Sequence, residues 1–230
     1  MDVAAVGGEP TPAAPALTAE VPTMMRSVAL FLVAVAALWG APAAAADYTV
    51  DAGRSTLLVR VWKEGAGSIF AHDHVARATK LSGTVRWDPA KPNASAVEVQ
   101  VETAGLVMDE PAIRRRFDLP PISAVNRREI ENTMRGPKQL DVAKFTTITF
   151  RSRRVESTGE GKLRITGAFT LHGRTREVTF PATVERRGEY VHARGSFRFL
   201  QSDYGITPYS FRGAVNNRDE VELQVELLAK

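Results

Sequence analysis

The sequence predicts an all-β protein: an antiparallel barrel of about eight strands, with one or two short helices inserted in the 109–144 segment. Short segments with alternating apolar and polar residues recur from Tyr48 to the C-terminus, the period of strands with one wet face. Turn residues separate them at regular spacing. Only between residues 109 and 144 does the alternation fail, where Pro111, Pro120, Pro121 and Pro137 interrupt a sparse apolar pattern.

The N-terminal part reads as targeting, not fold. Residues 28–39 are an apolar run closed by Gly40 and Pro42 and followed by four alanines, Ala43 to Ala46. That run is shorter than the ~20 residues of a membrane span, and Ala44-x-Ala46 is a small-residue cleavage pattern. Residues 25–46 are therefore expected to be a signal peptide cut near Ala46, with Arg26 as its positive charge. Residues 1–24 carry Asp2, Glu9 and Glu20 and no Lys or Arg, so they fit no signal n-region. A mis-called start, or else a disordered extension, is the expectation there. Residues 47–230 then form a single domain, secreted or periplasmic, with no transmembrane segment in the mature chain. The chain has no cysteine, so an exported product must fold without disulfides and without an acylated cysteine anchor.

Tyr48-Thr49-Val50-Asp51 opens the domain, and residues 55–62 continue it, with Leu57, Val59 and Val61 alternating against Leu58, Arg60 and Trp62. Residues 63–68 are a loop, and residues 76–87 a second extended stretch that Asp88-Pro89 stops. The clearest strand spans residues 96–106, where Val97, Val99 and Val101 alternate with Glu98, Gln100 and Glu102. Within the irregular segment, residues 127–134 offer a short helix with Asn126 as its N-cap. Strands resume at 146–155 and 163–171, joined by Gly159-Glu160-Gly161. Further strands follow at 176–184, 190–199 and 220–228. The inward positions include Gly167, Ala193 and Gly195 among large residues, which favours a barrel over a sandwich. Whether its interior is filled or hollow stays open.

Candidate chemistry concentrates at His72-Asp73-His74, which holds two of the four histidines around one carboxylate. On extended chain His72 and His74 share a face, a geometry suited to Zn²⁺ or Cu²⁺ if His172, His192 or another group supplied a third ligand. The alternatives are a polar turn capped by Asp73, or headgroup recognition or proton transfer at a cavity mouth. His172-Gly173 reads as a turn with Gly173 at positive φ. The net charge is +4, and the basic residues form short clusters such as Arg114-Arg115-Arg116 and not one long run, so nucleic-acid binding gains no support. Arg114 to Arg116 could meet a pyrophosphate by charge-assisted bonds, or form a plain solvated surface. No nucleophile elbow, P-loop, dinucleotide fingerprint or cysteine metal motif is present, and an enzyme is not indicated.

Several of these stretches together resemble the YceI-like family. Tyr48-Thr49-Val50-Asp51 with Ser55 is similar to its opening strand, and residues 127–134 with 140–150 to the segment entering a central strand. The strongest likeness runs over residues 165–178 around His172-Gly173, and Asp203-Tyr204-Gly205-Ile206 also fits. The chain departs from the pattern at Thr146 and Thr147, where a proline is often found, and at His72-Asp73-His74, which only some of these proteins share. The resemblance implies a lipocalin-like barrel whose long apolar interior accepts a polyisoprenoid or similar lipid, with no cofactor required. Trp62, Phe70, Trp87, Phe169, Phe180, Phe197 and Phe199 are the candidate lining residues. His72, Asp73, His74, Arg114 and His172 are the candidate polar rim. The function expected is a carrier of a long apolar ligand; a metal-binding periplasmic protein using His72 and His74, and a structural barrel with a filled core, are the alternatives.

Overall fold

A computed structural model describes residues 45–68, 71–211, 213 and 215–230. Residues 25–44 of the expected signal peptide and Phe70 lie outside them. Twelve strands form one sheet: β1 (Ala46–Thr49), β2 (Thr56–Glu64), β3 (His74–Ala78), β4 (Leu81–Trp87), β5 (Ala96–Glu102), β6 (Leu106–Met108), β7 (Thr147–Gly159), β8 (Lys162–Leu171), β9 (Arg174–Arg187), β10 (Tyr190–Leu200), β11 (Ser210–Phe211) and β12 (Val215–Ala229). Three pairs of these are single long strands with a kink. β1 and β2 are separated by a turn in which Asp51 Oδ1 accepts the N–H groups of Gly53 and Arg54. β3 and β4 are separated by Thr79 and Lys80, and β5 and β6 by a 3₁₀ turn at Thr103–Gly105. With short β11 set aside as an addition to β12, the expected eight strands remain.

Every pairing is antiparallel, and the order follows the chain as an up-and-down meander from β3–β4 through β10 to β12. β12 then pairs with β2, which pairs back to β3, so the sheet curls onto itself. At the other end of that seam Val50 bridges Ala229, and Thr49 and Lys230 exchange N–H···O bonds of 2.7 and 2.9 Å. Gly83 makes room for this crossing, since a Cβ there would lie 3.2 Å from Val50 Cγ2 and 2.3 Å from Glu98 O. Closure removes the open edges that an antiparallel sheet would otherwise expose.

Alternation puts Leu57, Val59, Val99, Ile165, Phe169 and Leu223 into one continuous interior cluster. Outside, cross-strand pairs such as Arg151–Glu98, Arg153–Glu177, Arg194–Glu226 and Arg198–Glu220 interleave the basic clusters with acids. The turn between β8 and β9 has His172 at φ 50° and Gly173 at φ 71°, the two positive values of a tight primed turn.

The 109–144 segment holds two α-helices at one end of the barrel, α1 (Pro111–Arg116) and α2 (Ala124–Arg135). Proline at the first position starts α1, where its missing N–H costs nothing. The cap of α2 is not Asn126 but Ser123, whose Oγ accepts the Asn126 N–H at 3.1 Å; Asn126 is therefore already inside the first turn. Arg135 fastens the far end of α2 to the barrel through the Leu106 carbonyl at 3.0 Å.

Candidate functional site

Inside the barrel lies an apolar cavity of about 410 Å³, within the range of small-molecule sites. Its wall includes Trp87, Leu163 and Val184 toward the β7–β8 turn, and His74, Met134 and Tyr209 at the helical end. Leu163 and Leu171 both line it; eight residues of tilted strand span about 20 Å along the barrel axis.

The lumen stays open because of where the bulky side chains go. Phe169, Phe180, Phe197 and Phe199 all line the cavity, and they pack on one another along β8–β10 with centroid separations of 5.1–5.9 Å. The facing wall, from β2, β5 and β12, supplies smaller aliphatics such as Val59, Val97 and Val225. Two inward glycines draw aromatic rings back against the backbone. A Cβ on Gly167 would stand 2.5 Å from Phe150 Cζ, and one on Gly195 would stand 3.0 Å from Phe180 Cε2. Each missing Cβ is thus a recess that a ring occupies instead of the lumen.

The aromatic candidates do not all share this location. Trp87 lines the cavity with the four phenylalanines. Trp62 does not: it sits on the outer face of β2, with the guanidinium groups of Arg60 and Arg198 5.4 and 5.1 Å from its ring. The alternation that turns Leu57, Val59 and Val61 inward necessarily turns Trp62 outward.

The mostly apolar wall also carries polar side chains, among them Glu129, Thr133, Gln139, Gln201, Asn217 and His74. His74 opens β3 and faces inward, the one histidine among the cavity residues. Its Nδ1 lies 2.7 Å from Oδ2 of Asp109, a side chain with no exposure. The other Asp109 oxygen accepts the Val75 N–H at 3.1 Å and Arg114 Nη1 at 2.6 Å. Burial pushes the Asp109 carboxyl upward, but the hydrogen bonds from His74, Val75 and Arg114 outweigh it and hold the group below the usual carboxylate range. Asp109 itself adopts φ 53°, a left-handed conformation that aspartate tolerates better than most residues.

Arg114, expected at the polar rim, is instead buried in the wall, 1% exposed. Its guanidinium also donates to the Asp73 carbonyl at 2.8 Å and the Pro120 carbonyl at 2.6 Å, tying β3 to the helical segment. A single turn of α1 aims Arg114 inward while Arg115 and Arg116 stay in solvent. The sequence offered no sign of Asp109 as its partner beyond an acid two residues before Pro111.

The remaining polar candidates disperse. His72 is exposed, its imidazole pushed below the ordinary value by partial desolvation and then by the positive Arg114 nearby. Asp73 accepts the Lys63 N–H at 3.0 Å and shapes the loop. His172 is away from the cavity, its ring 4.1 Å from that of Phe145 and its Nδ1 3.2 Å from the Tyr204 carbonyl. His192 is buried on the outer face between Glu185 and Glu226. Among the described residues, no three His, Cys, Asp or Glu side chains come together as a metal site. Sequence reasoning also missed Tyr204, a buried ring against Phe169 and Phe199 whose phenol burial pushes up to about 12.

The YceI-like domain pattern matches residues 48–229, almost the whole of the described barrel. The chain belongs to the YceI-like family. Its YceI-like relatives include a UPF0312 protein of Pseudomonas fluorescens (strain SBW25), 28% identical over 89% of this chain and 96% of the relative. Another, from Pseudomonas putida (strain W619), is 31% identical over 88% of this chain and 97% of its own length. Among solved structures, Burkholderia cenocepacia BcnA is similar with a TM-score of 0.62 at 20% identity, over 79% of this chain and 99% of that one. A polyisoprenoid binding domain from Saccharophagus degradans, implicated in plant cell wall breakdown, is similar with a TM-score of 0.55 at 14% identity, over 80% and 97%. At these identities the likeness to the solved YceI-like structures is one of fold. Among the described residues no helix is long and apolar enough to cross a membrane.

Proposed function

We propose that this protein is a carrier that holds one long apolar chain, of polyisoprenoid type, inside its barrel, and that it works outside the cytoplasm after cleavage near Ala46. The cavity carries the reading: a narrow, apolar channel of about 410 Å³ that runs most of the barrel's length fits a chain better than a compact solute. The polyisoprenoid-binding name of the Saccharophagus degradans neighbour points the same way for that protein. Affinity would come from withdrawing hydrocarbon from water, at about 25 cal/mol per Å² before the cost of ordering the chain. The role is binding and not catalysis, since the sequence carries no catalytic motif and the channel wall is mostly apolar.

Titration of the ligand-free protein with geranylgeraniol, followed by thermal unfolding, tests this. A ligand at 100 times its Kd stabilises by about 2.7 kcal/mol, which raises the midpoint of a domain this size by roughly 5–11 °C. An unchanged midpoint, with no uptake of an apolar fluorophore, would remove the carrier reading.

A further inference from the structure

The two ends of the barrel differ on their outer surface. We propose that the helical end is a docking surface for an anionic phospholipid bilayer, which seats the mouth of the channel against the membrane. The choice of a bilayer as the partner rests on the carrier reading.

The apolar part of this surface is confined to one end. Among the described residues the exposed large apolar side chains are Val125, Leu200, Tyr209 and Phe211. Val125 is in the first turn of α2, Leu200 ends β10, and Tyr209 and Phe211 lie in the connection from β10 to β12. The turns of the opposite end, at 159–162 and 187–190, carry none of them. Gln139 Nε2 donates to the Thr207 carbonyl at 3.0 Å and ties the loop after α2 to that connection. The Asn217 N–H donates to the Tyr209 carbonyl at 2.9 Å and ties the connection to β12. The patch is continuous with the channel: Tyr209 is 38% exposed yet also part of the cavity wall, and α2 lends Ile130 and Met134 to the same wall.

The charges around these side chains are mainly cationic. Arg128 follows Val125 by one turn of α2, and Lys138 precedes Gln139 in the loop. Arg218 is held beside the end of β10 through its carbonyl, which accepts Gln201 Nε2 at 2.9 Å. All three are exposed, and among the described residues none has a carboxylate partner, whereas Arg151 and Arg153 on the barrel's side are paired with Glu98 and Glu177. The exposed acids of this end, Glu64, Asp118, Glu129 and Asp203, are outnumbered by its exposed cations, which also include Arg115, Lys144 and Arg174. Apolar side chains ringed by unpaired cations match the interface of an anionic bilayer, where hydrocarbon lies just below the phosphates. A protein partner accounts for the patch but not for its place at the channel mouth. A bilayer accounts for both, because an apolar chain that passes directly from the acyl region into the channel avoids water.

Flotation of the protein with vesicles of phosphatidylcholine, alone or with an equal part of phosphatidylglycerol, tests this. The mixed vesicles should bind the protein more tightly, and less so as salt rises. Each basic residue near such a surface corresponds to roughly fivefold in affinity, so Arg128→Gln with Lys138→Gln should lose about 25-fold on the mixed vesicles. Val125→Ser with Phe211→Ser should weaken binding to both kinds of vesicle by at least about tenfold. All four positions are exposed and off the cavity wall, so uptake of an apolar fluorophore should stay as in the native protein. Because the chain has no cysteine, Val125→Cys and Lys91→Cys each accept a single environment-sensitive dye. On mixed vesicles the dye should shift to the blue at position 125 and not at position 91, which lies at the opposite end between β4 and β5. Absence of flotation with the mixed vesicles overturns the proposal, as does flotation unaltered in both double variants or a blue shift at position 91 alone. Dimerisation in place of flotation, lost in Val125→Ser with Phe211→Ser, assigns the patch to a second copy of the chain and overturns it too. Fluorophore uptake by the native protein tests the carrier reading separately, so the two can fail independently.

Discussion

Replacing Arg114 by methionine should be one of the most damaging single changes on this barrel, although the residue sits in a run of three arginines. Arg114 and Asp109 are both 1% exposed, and their 2.6 Å pair has no water to take over if one partner leaves. Arg114→Met would strand the Asp109 carboxylate with only His74 and Val75 as donors and free the Asp73 and Pro120 carbonyls. Breaking a buried pair in this way costs about 3–5 kcal/mol. For a domain of this size each kcal/mol moves the midpoint by about 2–4 °C, so the melting temperature should drop by roughly 6–20 °C. Arg115→Met, one residue along and exposed, is the control and should change stability by no more than about 0.5 kcal/mol. Adding Asp109→Asn to Arg114→Met should cost less than the two single losses combined, since the stranded charge is then gone. Urea unfolding of the four proteins measures this. A loss below about 1 kcal/mol for Arg114→Met would refute the buried-pair account.

Other consequences are independent of that pair or test it differently. Asp109 and Glu110 both have carboxyl groups held below the usual range, so their contribution is complete above the unfolded value near pH ~4 and disappears as pH falls through the lowered folded values. Urea midpoints should therefore decline with acid below about pH 4, and Arg114→Met should show a smaller decline. Gly167→Ala sets a Cβ 2.6 Å from the Arg151 carbonyl, which cannot move aside, and should destabilise by about 1–3 kcal/mol by thermal unfolding. Ala193→Phe fills the channel from β10; it should fold yet lose at least about tenfold in affinity for apolar probes, and unaltered binding would place the ligand elsewhere. Ser123→Ala removes the cap of α2 and should cost about 0.5–2 kcal/mol, read by denaturant unfolding.

The barrel was legible where a side chain's period reports its neighbours. Val97, Val99 and Val101 alternate with polar residues, and the structure pairs that strand on both sides with its valines inward. Trp62 shows the limit of reading by residue type: its alternation pointed outward, while its size suggested a lining role, and the alternation prevailed. The 109–144 segment was legible as irregular, but not as the source of Asp109 and Arg114. Whether a charge is solvated or buried depends on which element packs over it, here α1 over the outer face of β2 and β3, with Phe117 4.8 Å from Arg60. The histidine cluster divided for a related reason. β3 begins at His74, two residues before the expected start at 76, so strand geometry holds one imidazole in the wall while His72 is left in the loop. The recesses at Gly167 and Gly195 were visible as small inward residues, but which rings fill them depends on pairings across the sheet.

Mass spectrometry of a solvent extract from the full-length protein, purified without detergent from its native source, tests the carrier account most directly. The account predicts one apolar chain of polyisoprenoid type per protein molecule, lost when Ala193→Phe occupies the channel. A protein that yields no lipid, and whose emptied channel takes up neither geranylgeraniol nor an apolar fluorophore, would contradict it.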